Sequence, residues 1–283
     1  MSVTPLKAAI RPPLVDGLFY PGRREALAAK VDDLLSRSST PRAARFAIIS
    51  PHAGYDYAGN VMAEAFASIA LRPVRTAVLI GPVHRDAEDG IFLTESEAFA
   101  TPLGDIPVDM RTVAALAARD PLFRRNDVPH LEEHCLELQL PFISRLFPGA
   151  SIVPILVGNA RMATVTALAR ALRLTFADSA DYTAFIVSAN TASYMTGKDP
   201  DAESAAMDSL LTRGDWRGIV SAAEKRQISA CCVAGIAAVL SLAGAGCTVE
   251  ILARTSSRSS ETDDSRIVHY AGVSIDTAAP SME

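Results

Sequence analysis

Hydrophobic positions fall into two recurring patterns along the chain. Leu27, Val31, Leu34 and Leu35 recur at the spacing of one helix face. The run 46–49 (FAII) has no polar member and reads as a strand buried on both sides. Helical spacing returns over 61–69, followed by a buried strand at 77–80 (AVLI) and a short third one at 91–93. Residues 109–118 read as a helix with Asp109 as its N-cap. Residues 134–146 also carry helical spacing, interrupted at Pro141. A strand is expected over 152–157, a helix over 160–172 and a strand over 184–187. Three helices follow at about 201–212, 215–225 and 230–243, then two strands near 249–253 and 267–275, with a polar loop at 256–264 between them. Short apolar strands alternating with helices predict an α/β fold. The expected architecture is a single domain with a central, mostly parallel or mixed sheet covered by helices on both faces. Neither an internal repeat nor a low-complexity linker divides the pattern. The domain is expected to span 11–275, with 1–10 and 276–283 as flexible tails.

Composition narrows the function classes. The 283 residues are 49% hydrophobic, enough for a substantial core. Net charge is -5 and the arginines are scattered, so the basic face that grips nucleic acid is not expected. Mean hydropathy is +0.20, which raises the question of a membrane. The most apolar stretch, 231–246, is shorter than the roughly 20 residues a bilayer requires. Gly, Ala and Ser dilute it, so it reads as a buried helix. The amino-terminal residues MSVTPLKAAIRPP lack an apolar signal core, and four cysteines do not make a disulfide scaffold. A cytoplasmic, reduced setting is the expectation.

In an open α/β sheet, ligands bind just past the carboxyl ends of the strands. Two strand ends each deliver a histidine there: Ser50-Pro51-His52-Ala53-Gly54-Tyr55 and Gly81-Pro82-Val83-His84-Arg85. Two convergent imidazoles invite a metal; taken singly, each equally well caps a helix or bonds within its loop. Glu133 and Glu137 lie one helical turn apart beside His134. They suit either an orienting carboxylate and a proton carrier or a solvated helix start. Cys231 and Cys232 begin the apolar helix, where a thiol can serve as a thiolate ligand or simply pack. Cys135, Cys247 and His269 read as structural. Gly244-Ala245-Gly246 precedes a strand and lacks a third glycine, so it is not a dinucleotide fingerprint; Gly197-Lys198 is not a P-loop, and no GxSxG elbow occurs.

Further segments carry a resemblance. Arg11-Pro12-Pro13 with Gly17-Leu18-Phe19-Tyr20-Pro21-Gly22 is similar to the opening of the Memo family, also called AmmeMemoRadiSam system protein B. PHAGYDYAG from Pro51 to Gly59 resembles that family's best-known motif. Gly81-Pro82-Val83-His84, Thr101-Pro102-Leu103-Gly104, Glu133-His134-Cys135-Leu136-Glu137, Leu140-Pro141-Phe142 and Val153-Pro154-Ile155-Leu156-Val157-Gly158 follow in family order, from about 11 to 275. The resemblance implies the fold of class III extradiol dioxygenases, which use non-haem Fe(II). It also implies a metal site of two His and one Cys, falling on His52, His84 and Cys231. Iron is the first expectation for that donor set, with copper or zinc as alternatives.

Two departures bear on activity. The family reads Ser-Ser-Asp-x-x-His where this chain reads Ser188-Ala189-Asn190-Thr191-Ala192-Ser193, and Arg85 replaces a second His after His84. Serine at its ordinary pKa does not accept a proton near neutral pH as histidine does. The resemblance therefore implies a metal-binding protein of altered catalysis, taking a small molecule or a peptide in its pocket. Family members in animals are described as signalling and redox proteins that recognise a phosphorylated peptide. The alternative is an active non-haem iron dioxygenase or oxidoreductase acting on a small aromatic or other organic substrate, with His134 and Glu133 as catalytic groups. Tyr55, Arg85, Asn190 and Ser193 are the substrate-binding candidates in either case. A hydrolase using metal-activated water has no motif of its own. Neither nucleic acid nor membrane is expected as a partner, and a homo-oligomer is compatible with the sequence.

Overall fold

A computed structural model describes residues 9–85, 89–193, 199–259 and 267–278. In chain order the elements are β1 (Ile10–Arg11), α1 (Arg24–Ser36), β2 (Ala47–Ser50), α2 (Tyr55–Ala67), β3 (Thr76–Pro82), β4 (Ile91–Leu93), β5 (Ala98–Phe99) and β6 (Ile106–Pro107). Then come α3 (Met110–Ala117), β7 (Phe123–Arg125), α4 (Val128–Glu132), α5 (Leu140–Leu146), β8 (Ser151–Val157), α6 (Met162–Phe176), β9 (Thr183–Ser188) and β10 (Ala192–Ser193). The chain closes with α7 (Pro200–Thr212), α8 (Trp216–Glu224), α9 (Val233–Ala243), β11 (Thr248–Ser256) and β12 (Val268–Asp276).

The apolar runs form the middle of the sheet. β2, β9, β3 and β8 lie side by side and parallel, and every residue of β2 and β9 is buried. Beyond β8 the sheet continues antiparallel through β4, which pairs parallel with β7. Beyond β2 lies antiparallel β12, with β10 on its near edge and β11 on its far edge. The main sheet is thus mixed around a parallel centre, as the continuous apolar runs require of strands covered on both faces. A small second sheet joins β1, β5 and β6.

Adjacent residues of β3 show the two covered faces. An added side chain at Gly81 would meet Cys135 and Leu136, whereas Ile80 points to the other face and packs under Gly235 of α9. At Gly235 a Cβ would lie 2.7 Å from Ile80, so only glycine lets α9 sit this close. α9 is buried on nearly every side, in accord with its apolar sequence. Among the described residues, no helix is long and apolar enough to cross a membrane.

Several expectations are corrected. No helix covers 134–136. A short α4 ends at Glu132, Glu133 is extended, Glu137–Gln139 form a 3₁₀ turn, and α5 begins at Leu140. Pro141 opens α5 instead of interrupting a longer helix, because its missing N–H costs nothing in a first turn. The two-residue and three-residue strands β1, β5, β6, β7 and β10 were not expected. Asp109 does cap α3, accepting from the Thr112 N–H at 3.0 Å. The expected tails are trimmed: Ile10 belongs to β1, and Asp276 ends β12 and pairs with Arg45 at 3.0 Å. The remainder of the polar loop beyond Ser259, and Gly197-Lys198, lie outside the described residues.

Candidate metal centre

The parallel strands end on one edge of the sheet, and the chain leaves them by short turns. His52 follows β2 by two residues and His84 follows β3 by two. Cys231 arrives from the loop before α9, fastened to the turn after β9: its N–H donates to the Asn190 carbonyl at 3.1 Å, and the Asn190 N–H donates to its Sγ at 2.9 Å. One donor atom from each of His52, His84 and Cys231 lies within 4.8 Å of the others. The thiol at Cys232 is turned away. Its left-handed backbone (φ 52°) separates the two side chains, and its Sγ lies under α9, 3.8 Å from the Ile80 carbonyl. The structure thus chooses between the adjacent cysteines.

Hydrogen bonds fix which nitrogen of each imidazole faces the cluster. The Ser188 hydroxyl donates its one proton to the Cys135 carbonyl at 2.7 Å. It accepts from the Gln139 amide at 3.1 Å and stands 2.9 Å from His52 Nδ1. Its proton being committed, Ser188 can only accept from His52, so Nδ1 carries the hydrogen and Nε2 keeps its lone pair. That Nε2 lies 3.5 Å from Cys231 Sγ. Burial, reinforced by His84 and His134, holds the His52 pKa well below the usual histidine value, so the ring is neutral. His84 Nδ1 lies 2.7 Å from Glu133 Oε2, and its backbone N–H bonds the other carboxylate oxygen. This is the carboxylate–histidine pairing that orients metal-binding imidazoles. Burial opposes protonation of His84, but hydrogen bonds to Cys231 and Glu133 outweigh it and raise its pKa to about 10. Burial acts against ionisation of Glu133 too, and its bonds to His84 prevail and lower its pKa.

The remaining candidates are placed as follows. His134 lies beside the cluster, its ring centroid 5.9 Å from that of His52 and 6.0 Å from that of His84. Burial and the neighbouring His84 lower its pKa. Asn190 is drawn into the site, but its side-chain oxygen accepts from the His52 N–H at 3.2 Å, so it positions the two turns. Ser193 is bonded to Ser229, its N–H donating to Ser229 Oγ at 2.8 Å. Arg85 lines a separate small cavity with Phe92, Asn126 and Glu132. Tyr55 is buried, and its hydroxyl donates to the Leu138 carbonyl at 2.8 Å, which commits it to the core. Glu137 does not share a face with Glu133. It is fully buried and accepts from Arg11 at 2.6 Å, from the Tyr20 hydroxyl at 2.7 Å and from the N–H groups of Leu14 and Val15. Arg11 in turn donates to the carbonyls of His130 and Glu133. His130 is buried and faces the Phe92 carbonyl through Nε2 at 3.1 Å, and His269 lies in β12, so neither joins the cluster.

Sequence reasoning gave no role to Ser188, Gln139 or Arg11. A serine closing an otherwise apolar buried strand was the available signal for Ser188. Phe19, whose ring meets His134 edge-on at 5.3 Å, was visible only as a member of the Gly17–Gly22 segment.

Three MEMO1 family proteins are similar along most of the chain. The one from Thermotoga neapolitana is 29% identical over 273 residues, 92% of this chain and 98% of its own length. That from Aeropyrum pernix is 28% identical over 283 aligned residues, 94% and 99%. That from Thermotoga petrophila is 28% identical over 244, 82% and 88%. The model of the Memo-like protein family matches residues 11–274, from the arginine that holds the Glu133 loop to the last strand of the sheet, and the chain belongs to that family.

Proposed function

We propose that the protein binds one transition-metal ion through His52, His84 and Cys231. The convergence of these three donor atoms, with both imidazoles oriented from behind, carries the reading. Two imidazoles and a thiolate suit iron, copper or zinc, and iron is the first assignment. A bound ion would supply Lewis acidity and, if redox-active, electron transfer. The chain's own residues would fix the imidazoles, neutralise part of the ion's charge through Cys231, and leave the remaining positions open to a ligand. We read the protein as cytoplasmic, taking a small molecule or peptide and not nucleic acid.

The favoured reading is a metal protein of altered catalysis. Where the resemblance implies Asp and His, Asn190 and Ser193 stand here; the Asn190 side-chain oxygen accepts from the His52 backbone N–H, and the Ser193 hydroxyl lies 3.4 Å from the Ser229 carbonyl. The second reading, a non-haem iron oxidoreductase, is favoured by His134. It is neutral near pH 7 and close enough to both rings to exchange a proton with a ligand between them.

Purification without added metal, then anaerobic reconstitution with Fe(II), Cu(I) or Zn(II), should give about one ion per chain. His52→Ala and Cys231→Ser should lose it. Absence of stoichiometric metal in every wild-type reconstitution overturns the assignment. Oxygen uptake by the iron form on a panel of catechols, lost in His134→Gln, selects the second reading; no uptake selects the first.

A further inference from the structure

A cavity of about 420 Å³ lies at the start of β2, the end of the sheet away from His52. One wall is the connection from α1 to β2, and the other is β11 from Glu250 to Leu252. Ser274 of β12 lines it between them. This serine is 3% exposed, and it faces the same side of the sheet as Gly272, on which α2 packs. Buried hydroxyls ordinarily have a partner. That of Ser274 has none among the described residues and opens on the cavity. The α1–β2 wall is held rigid by Glu64. Its carboxylate accepts from the N–H groups of Ser39 and Thr40 at 2.9 and 2.7 Å, and from the hydroxyls of Ser38 and Ser39 at 2.7 and 3.1 Å. Two charged groups line the cavity, and they balance. Arg45 gives one N–H to Asp276 at 3.0 Å, and its other side-chain N–H groups bond nothing among the described residues. Glu250 stands opposite Ser274 in the strand register, with neither an ion pair nor a hydrogen bond to its carboxylate among those residues.

We infer that this cavity binds a neutral polyhydroxylated molecule of monosaccharide size. Its volume falls within the roughly 300–1,000 Å³ of small-molecule sites. Adjacent hydroxyls of such a ligand donate to the Glu250 carboxylate and accept from the Arg45 guanidinium, each of which can hold two at once. A further hydroxyl gives Ser274 the partner it lacks. Pro41 and Leu252 offer apolar surface to the C–H face of the ligand. Because the Glu64 clamp fixes the wall beforehand, little ordering cost is added on binding. A net anion is drawn to Arg45 and repelled by Glu250, and a net cation the reverse, so charge gives no gain to offset its desolvation. A zwitterion would set its carboxylate on a guanidinium that Asp276 already holds. The site shares no residue with the metal centre and does not depend on a bound ion.

myo-Inositol and methyl β-D-glucoside are the neutral probes. Glucuronate and glucosamine add a charge of either sign, and cyclohexanol keeps a six-membered ring with a single hydroxyl. Ligand-observed NMR titrations of the full chain, with chelator present, give each affinity. At least one neutral probe should bind saturably, and cyclohexanol, glucuronate and glucosamine about tenfold or more weakly. Ser274→Ala should weaken the neutral probe about tenfold without lowering Tm, because the hydroxyl it removes has no partner within the chain. Glu250→Ala, at an exposed position, should weaken it by a similar factor. The inference is overturned if neither neutral probe binds, if cyclohexanol or a charged analogue binds as tightly, or if both variants bind the neutral probe as wild type does.

Discussion

The two imidazoles of the centre are prepared in opposite ways. His52 is buried and neutral, with its outer nitrogen held by a serine. His84 is held by a carboxylate and keeps a proton up to about pH 10 in the metal-free site. An ion must therefore displace that proton, and binding releases it to solvent. The sign follows: because the metal-free His84 pKa is raised, affinity falls as pH drops below about 10, by about tenfold per pH unit for this one group. Cys231 and Glu133 together raise that pKa, and Glu133→Gln removes the carboxylate's share, so the fall should begin at lower pH. At the alkaline plateau the same variant should bind about 10–100-fold more weakly, since its imidazole is less well oriented. Chelator competition across pH measures both quantities. An unchanged pH profile in Glu133→Gln would remove Glu133 from any role at the centre.

At the scale of elements, the segment from Glu133 to Gln139 is the most informative. Its apolar spacing imitates a helix, which the pattern predicts from His134 to Leu146 with an interruption at Pro141. Long-range polar contacts override that local pattern: Glu133 is drawn to His84, and Glu137 to Arg11 and Tyr20. Arg11 and Glu137 lie 126 residues apart, so no local window of sequence contains their pairing. The short strands were hidden for a related reason, since two or three residues carry no measurable period. The central strands were legible because uninterrupted apolar runs have few other uses. The Arg11–Glu137 pair is buried on both sides, and removing one partner strands the other's charge. Arg11→Met should therefore destabilise by about 3–5 kcal/mol in urea unfolding. Arg11→Met with Glu137→Gln should recover part of that loss, because no unpaired ion remains. A double variant no more stable than Arg11→Met would show that packing, and not the ion pair, holds this segment.

At the scale of the whole molecule, the donors join parts of the fold that the chain itself connects only distantly. His52 and His84 leave neighbouring parts of the parallel sheet, while Cys231 comes from the loop that leads into α9. Part of this was legible in the sequence, because strand-end histidines declare themselves by position and the family motifs supplied the cysteine. The geometry that separates Cys231 from Cys232 was not, since it depends on one left-handed residue and the close packing of α9 on β3. An ion held from three separate segments binds the folded chain and not the unfolded one, so its binding energy adds to stability. With free metal at 100 times its dissociation constant the gain is about 2.7 kcal/mol. For a chain of this size that corresponds to a rise in Tm of about 5–10 °C. Thermal scans with and without chelator measure it. The rise should vanish in His52→Ala, whose own Tm should be insensitive to metal. It should persist in Cys232→Ala, whose thiol faces the sheet and not the centre. A rise lost in Cys232→Ala and kept in Cys231→Ala would mean that the two cysteines exchange roles, and would move the centre to the other face of the turn.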